Sequence, residues 1–253
     1  MPKASENPVA HLSYSALYSY FSSPAKFWKQ YVMKAPFERK ITMVFGSAWH
    51  HGLEMHLKGM DDPIGSAIRY ALGEIEKCPE SERKDQNKLN RKLAHLESNL
   101  EHFLPQTKEW EIVDVEKTIV CPPPIEGGLP MKGKIDLVVP GEIWDHKYVH
   151  AVSGKPDEFY YVQAWFYYQL YKHEYGKAPK AFRILEFKEV PYRDKSRGQF
   201  QPRVILYDER WIEKVSQWYL DVCIQINAQR RFPANPFDMF GGDDWKEYLT
   251  SKV

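Results

Sequence analysis

The stretch that decides the fold is 133-GKIDLVVPGEIWDHKYV-149. Residues 133–139 and 142–149 are rich in β-branched and aromatic side chains and are separated by Pro140-Gly141, which is typical of a β-hairpin. A tight turn at that dipeptide predicts a register in which Val139 faces Glu142, and Asp136 therefore faces Asp145. Because strand side chains alternate between faces, Lys147 should lie on the same face as Asp145. The other face should form an apolar layer of Ile135, Leu137, Trp144 and Tyr148.

Two carboxylates held opposite each other on paired strands repel, so this hairpin needs a compensating positive charge. A divalent cation between Asp136 and Asp145 would supply it, and oxygen ligands of this kind suit Mg²⁺ or Mn²⁺. The alternative is a surface salt-bridge cluster that includes Lys147. The register is the critical assumption, because a slip of one residue would move Asp136 to the other face.

Length and composition narrow the class of protein. The chain has 253 residues, 43% of them hydrophobic, which suits one domain with a sizeable core and a helical insertion at about 61–105. A net charge of +1 gives no global reason to bind nucleic acid, so any such contact must come from a local basic cleft. Three widely separated cysteines argue against a disulfide framework. Since neither a signal peptide nor a membrane-spanning run is visible, we expect a soluble, cytoplasmic protein with no membrane partner.

Periodicity predicts an α/β order. A helix capped by Ser13 is interrupted at Pro24 and resumes to about residue 34. A second helix spans residues 47–58, and the insertion follows as two helices broken near Cys78-Pro79. A strand at 110–120, the hairpin, a helix over 157–175 capped by Gly176, two strands at 181–190 and 203–207, and a helix over 208–231 complete the chain. The apolar stripe of the last helix comprises Trp211, Val215, Trp218, Val222 and Ile226. This order predicts a mixed β-sheet flanked by helices, with an N-terminal helical region.

Two helical patterns remain open on the residues alone. His50 and Glu54 share one face of the helix at 47–58, which is equally typical of a surface pair on an amphipathic helix. Gln163 and Tyr167 form a polar–aromatic stripe whose simplest interpretation is core packing. A zinc site built from His50, His51 and His56 is disfavoured, because positions 50 and 51 point about 100° apart on a helix.

Four segments resemble motifs of the PD-(D/E)XK nuclease superfamily, in the family's order. GSAWHHGLE at 46–54 resembles its first motif, and GKID at 133–136 with DHK at 145–147 resembles its acidic and lysine motifs. QAWFY at 163–167 resembles the Gln-x-x-x-Tyr motif of the RecB-like exonuclease branch, and LSYSALYSYFSSPAKFWKQYV is similar to the leader of that branch. The resemblance implies a restriction-endonuclease-like core and covers most of residues 12–190.

The resemblance also implies roles for individual residues. Asp136, Asp145, His50 and the backbone carbonyl of His146 would bind the metal, with Glu54 behind the ligands. Lys147 would be the catalytic lysine, Gln163 would help to position the substrate or the lysine, and Tyr167 would contact DNA or the same network.

The chain departs from the iron–sulfur subgroup of this branch. Ser23-Pro24 stands where that subgroup has Cys-Pro, and the tail FPANPFDMFGGDDWKEYL contains no cysteine. We therefore expect no iron–sulfur cluster. The two ends of the chain should instead be held by packing, for instance through Trp245 or Phe240.

The resulting hypothesis is a metal-dependent DNA nuclease, acting as an exonuclease in recombination, repair or replication, alone or with a recombination or annealing protein. Its substrate is single- or double-stranded DNA. The alternatives are a structure-selective endonuclease or junction resolvase, and a non-catalytic nucleic-acid-binding protein on the same fold. On the basis of positive charge alone, the residues predicted to contact DNA are Lys34, Arg39, Lys40, Arg193, Lys195 and Arg197.

Overall fold

A computed structural model describes residues 8–36, 38–151, 157–190, 199–229 and 232. The helices are α1 (Tyr14–Ser22), α2 (Pro24–Phe27), α3 (Ile41–Leu57), α4 (Pro63–Ile75), α5 (Glu80–Arg83), α6 (Gln86–Phe103), α7 (Tyr161–Tyr175) and α8 (Glu209–Ala228). The strands are β1 (Asp114–Cys121), β2 (Met131–Val139), β3 (Glu142–Val149), β4 (Ala181–Lys188) and β5 (Phe200–Leu206). A π turn at Trp28–Val32 extends α2, and single 3₁₀ turns at Leu104–Thr107 and Asp157–Tyr160 follow α6 and precede α7.

The strands form one mixed sheet in the order β1-β2-β3-β4-β5. Only the β3–β4 pair is parallel; the other neighbours are antiparallel. The predicted hairpin register is confirmed: Val139 pairs with Glu142 and Leu137 with Trp144. Gly141 carries the turn at φ 81°, a conformation that glycine adopts without steric cost. The predicted mixed sheet with flanking helices is therefore confirmed.

Helices bury both faces of this sheet. One core joins α1, α2, α7 and α8 to the sheet, and Phe166, Leu170 and Tyr219 are fully buried there. The other core joins α3, α4 and α6 to the opposite face, around Trp49 and Phe103. Because both faces are covered, the strand β4 buries successive residues, including Ile184, Leu185 and Phe187.

The predicted single apolar layer on the hairpin is wrong. Ile135 packs in the α7 core together with Val138, although residues three apart on a regular strand face opposite ways. Tyr148 packs in the other core, stacked on Trp49 at 5.0 Å between ring centroids. On the neighbouring strand β1, Glu116 has φ 53° and lies between the pairs Val115–Leu137 and Lys117–Ile135. This irregularity falls beside Asp136.

Several predicted boundaries move. The helix that carries His50 begins at Ile41, six residues before the predicted start, because 41–46 pack into the core of α3, α4 and α6. The insertion contains three helices, since the four-residue α5 occupies part of the predicted break. The caps were predicted correctly: the Ser13 side chain accepts a hydrogen bond from the backbone N–H of Ala16 at 3.1 Å, and Gly176 ends α7 at φ 67°. In α8 the fully buried positions are Tyr219, Val222, Cys223 and Ile226, whereas Trp211, Val215 and Trp218 are half-buried.

The two ends of the described chain pack against each other, as predicted, through residues other than those nominated. Tyr20 donates a hydrogen bond to Oε1 of Gln229 at 2.6 Å, and Trp28 stacks on Phe232 at 4.7 Å. Trp245 and Phe240 lie outside the described residues. The cysteines at 78, 121 and 223 are buried and carry free thiols. Among the described residues, no helix combines the length and apolar character needed to cross a membrane.

Candidate metal centre

The site lies where β2 and β3 separate. Their pairing ends at Leu137 and Trp144, and Asp136 and Asp145 are the next residues along each strand. Asp136 stays in contact with the neighbouring strand through Oδ2, which accepts a hydrogen bond from the backbone N–H of His146 at 2.8 Å. Farther along, β2 pairs instead with the chain before α1, through the Leu12–Met131 bridge. The hairpin thus opens into a fork with an aspartate on each side.

Asp145 is held by two side chains. Lys147 lies with Nζ 2.6 Å from Oδ2 of Asp145, and Gln163 donates from Nε2 to Oδ1 at 2.9 Å. Burial opposes the charged form of Lys147, but Asp145 and Asp136 outweigh it and raise its pKa. The ammonium group therefore keeps its proton and can donate to an anionic oxygen. Burial, Asp145 and Asp136 also raise the pKa of Tyr167 well above its usual range, so its phenol stays neutral.

Gln163 reaches Asp145 because α7 packs very closely on β2. A Cβ added to Gly133 would lie 2.5 Å from Cδ1 of Leu170 and 3.2 Å from Cε1 of Phe166. Any larger residue at position 133 would therefore have to displace the side chains of Leu170 and Phe166, which are fully buried on α7. The glycine of the GKID motif serves this close approach.

A second set of ligands meets at Asp136. Nδ1 of His50 lies 3.5 Å from Oδ2 of Asp136 and 3.5 Å from Oε1 of Glu116. One ligand atom from each of these three residues lies within 4.8 Å of the others, which is close enough to share one metal ion. Asp145 lies outside this trio, although its charge acts on Asp136. The predicted convergence of His50 on Asp136 is present in the structure.

Glu116 is the residue that sequence reasoning missed. It lies in the predicted strand, in the unremarkable segment DVEKTIV, and no motif marks it. Its left-handed backbone places it between the flanking strand pairs, next to Asp136, and it also forms an ion pair with Lys134. Only the β1–β2 register could have revealed it, because that register puts a second acid opposite Asp136.

The electrostatics of the metal-free site favour a cation. Burial, with Asp145 and Glu116 nearby, raises the pKa of Asp136 to about 6 even though His50 and Lys147 act in the opposite direction. Burial lowers the pKa of His50, but Asp136 and Glu116 outweigh it and the net shift is upward. Glu116 and Asp145 are each paired with a lysine, Lys134 and Lys147, whereas Asp136 has His50 and the backbone N–H of His146 as partners, so the excess of negative charge is felt at Asp136. Oxygen-rich donors of this kind fit Mg²⁺ or Mn²⁺, so the residues present fit the metal that the fold implies.

The His146 side chain faces away from this trio. Its ring stacks on Trp110 at 5.9 Å, and burial, with help from His50 and Lys147, lowers its pKa to about 3. The imidazole is therefore neutral. The prediction for this residue concerned only its backbone carbonyl and stays a prediction.

The other nominated residues are more peripheral. Glu54 forms an ion pair with Lys58 at 2.6 Å, so its carboxylate is already engaged on its own helix. Arg39 is paired with Glu74 of α4, whereas Lys34 and Lys40 are exposed. Arg193, Lys195 and Arg197 lie outside the described residues.

The alternative zinc site of His50, His51 and His56 is not supported by the structure. Nε2 of His51 lies 2.9 Å from Oγ of Ser66, and its ring stacks on Tyr70. The metal-capable group found among the described residues includes His50 and neither His51 nor His56.

Comparisons with known proteins bear on the family and the fold of the chain. Residues 11–239 match the family described as the PD-(D/E)XK nuclease superfamily. A crystal structure described as a "Putative exonuclease" from Eubacterium rectale superposes with a TM-score of 0.62 at 10% sequence identity. The alignment covers 100% of this chain and 92% of that one, so the likeness concerns the whole fold. No curated protein matches the sequence.

Proposed function

Because the chain belongs to the PD-(D/E)XK nuclease superfamily, we propose that it is a Mg²⁺- or Mn²⁺-dependent deoxyribonuclease that degrades DNA from an end. The observation that carries the proposal is the meeting of two groups at one fork. His50, Glu116 and Asp136 could hold a metal, and Asp145 with Lys147 and Gln163 lies beside them.

The groups divide the chemistry of phosphodiester hydrolysis between them. When bound, a divalent ion lowers the pKa of its water and stabilises negative charge on a phosphate oxygen. His50, Glu116 and Asp136 would hold it, with Asp145 and the His146 carbonyl as further ligands. Lys147 keeps its proton and would donate to the phosphate as negative charge develops in the transition state. Gln163 would keep Asp145 oriented, and Tyr167, one turn farther along α7, would add a neutral phenol to the same side of the site.

An exonuclease is preferred to a structure-selective endonuclease or junction resolvase on the basis of the resemblance to the RecB-like branch. The proposed cellular setting is recombination, repair or replication of DNA. A recombination or annealing protein is the class of protein partner that fits such a role.

The test compares end-labelled linear DNA with covalently closed circular DNA, each with Mg²⁺, Mn²⁺ or a chelator. We expect metal-dependent loss of the linear substrate and no change in the circle. Cleavage of the closed circle would replace the exonuclease by an endonuclease. Asp136→Ala and Asp145→Ala should abolish cleavage, and full activity in either variant would overturn the assignment of the site.

A further inference from the structure

The outward face of α1 is an aromatic stripe without charge. Tyr14, Tyr18 and Phe21 are spaced four and three residues apart and therefore share one face of the helix. Tyr18 is 45% exposed and Phe21 is 48% exposed, while the opposite face, including Ala16, Leu17 and Tyr20, is buried. No residue of α1 is charged. The outward face of an amphipathic helix is normally polar, so these three residues, the α1 stripe, call for an explanation.

One end of the α1 stripe lies on the side of the candidate metal centre. The chain just before α1 pairs with β2 at Met131, five residues from Asp136, and Tyr14 packs against the core that contains Tyr160 and Ala164, next to Gln163. Burial raises the pKa of Tyr14 to about 12. The other end reaches α8, where Phe21 stacks on the half-buried Trp218 with 5.1 Å between ring centroids. The stripe therefore leads from the reacting groups outward across the surface.

Positive charge borders the inner end of the α1 stripe. His11, Lys34 and Lys132 are all exposed there, and the backbone N–H of Lys132 donates to the carbonyl of Leu12 at 2.8 Å. Burial, with the charges of Lys132 and Lys34, lowers the pKa of His11, so at neutral pH the positive charge here comes from the two lysines. The first turn of α1 contains no acidic residue, so the positive end of its helix dipole is not neutralised by its own side chains.

We propose that the α1 stripe binds the bases of a single-stranded segment of the substrate, while the neighbouring cationic residues bind its phosphates. This inference rests on the proposed nuclease function and names the form of DNA that the site accepts. Helix geometry puts the three residues about 6 and 4.5 Å apart along the axis, which allows successive unstacked bases to meet successive rings. Base–aromatic stacking is how proteins bind single strands without reading sequence. In a duplex the base faces are already covered by their neighbours.

The test measures binding rather than cleavage. The Tyr18→Ala/Phe21→Ala protein is compared with wild type for binding of fluorescein-labelled dT20 and of a blunt 20-base-pair duplex, both with chelator present. We expect dT20 to bind the variant roughly tenfold or more weakly, since each lost stack is worth about a factor of ten, and duplex affinity to change by less than about twofold. Tyr18→Phe/Phe21→Tyr should bind dT20 like wild type, because the rings remain.

A matched control removes apolar side chains of similar exposure elsewhere. Met60 is 56% exposed and Leu72 is 46% exposed, and Met60→Ala/Leu72→Ala should bind dT20 like wild type. Tyr18→Ala alone avoids disturbing the Phe21–Trp218 stack and should give about half the effect on the logarithm of affinity. Equal losses on dT20 and duplex, or no loss on dT20, would overturn the proposal.

Two further measurements separate this inference from the proposed function. Hydrolysis of the p-nitrophenyl ester of thymidine 5′-phosphate needs no base beyond the first and should be unchanged in Tyr18→Ala/Phe21→Ala. If wild type cleaves nothing while the dT20 defect is present, the nuclease function fails and the stripe stands. If wild type cleaves DNA and the variant binds dT20 normally, the stripe fails alone. Light scattering that shows a smaller assembly for the variant, with dT20 binding intact, would identify the stripe as a contact between copies and refute the proposal.

Discussion

Replacing Gly133 by alanine tests how the strand and α7 build the site together. The added Cβ would lie 2.5 Å from Cδ1 of the fully buried Leu170, about 1 Å inside ordinary contact between carbon atoms. Overpacking of this kind costs about 1–3 kcal/mol, and replacing glycine in a strand returns about 0.5–1 kcal/mol. We expect a net loss of about 1–2 kcal/mol in the free energy of unfolding, measured by urea denaturation.

The same substitution should reduce activity by more than its effect on stability explains. If α7 moves outward by about 1 Å, the 2.9 Å hydrogen bond from Gln163 to Asp145 passes the limit of useful geometry. We expect kcat to fall roughly tenfold or more while the folded fraction stays near one. Gly46→Ala is the matched control, because nothing lies within 4 Å of a Cβ added there and alanine favours a helix by about 1 kcal/mol.

A double-mutant cycle makes the steric explanation refutable. Leu170→Ala alone should cost about 2–5 kcal/mol as a cavity, but in the Gly133→Ala background the removed methyl groups relieve the clash. The double variant should therefore lose less free energy of unfolding than the two single variants lose together. Two outcomes would refute the close contact between α7 and β2 at Gly133. One is strict additivity of the two losses in the free energy of unfolding, and the other is a Gly133→Ala protein with wild-type stability and kcat.

Three further perturbations address single residues. Glu116→Gln should weaken Mn²⁺ binding roughly tenfold or more by calorimetry, since it removes one of three acidic or imidazole ligands; unchanged affinity would exclude Glu116 from the site. Lys147→Ala should remove catalysis while Mn²⁺ still binds, so loss of the metal itself would contradict the role given to this lysine. Glu142 accepts hydrogen bonds from Arg183 at 2.5 and 2.9 Å, and these lower its pKa below the usual 4.5. The stability it contributes is therefore present above pH 4.5 and lost as the pH falls below that value, so urea midpoints of wild type and Arg183→Leu should converge in acid; a constant gap between them would refute the assignment.

The sequence predicts the fold well where local rules decide it. Val139 and Glu142 are paired by a two-residue turn, and Ser13 and Gly176 end helices by capping chemistry that acts within a few residues. The family resemblance implied that Gln163 positions the substrate or the lysine, but its contact with Asp145 was predicted neither by that resemblance nor by any local rule. It is a tertiary contact between a helix and a strand whose relative position depends on the packing at Gly133.

What the sequence could not supply is the irregularity at Glu116. The sequence prediction assumed that side chains alternate strictly between the two faces of each strand, and it therefore placed Ile135 and Tyr148 in one layer. The alternation fails along β2, where Ile135 and Val138 lie in the same core, and on β1 Glu116, with a positive φ, lies opposite Asp136 as a third acid. Such a backbone state costs free energy for a residue with a side chain, and it persists only where surrounding contacts enforce it. No residue pattern in DVEKTIV encodes those contacts.

The contacts of Tyr20 with Gln229 and of Trp28 with Phe232 affect the order in which parts of the fold can form during synthesis. Tyr20 and Gln229 are separated by 209 positions, so their hydrogen bond closes one of the longest loops available to the chain. A chain is made from its N-terminus, and contacts of such sequence separation form late. The Tyr20–Gln229 and Trp28–Phe232 contacts cannot exist until residues 229 and 232 have been made. A nascent chain halted before that point would lack this support for α1 and α2, so the proposed binding surface on α1 would be fully supported only after residue 232 has been made.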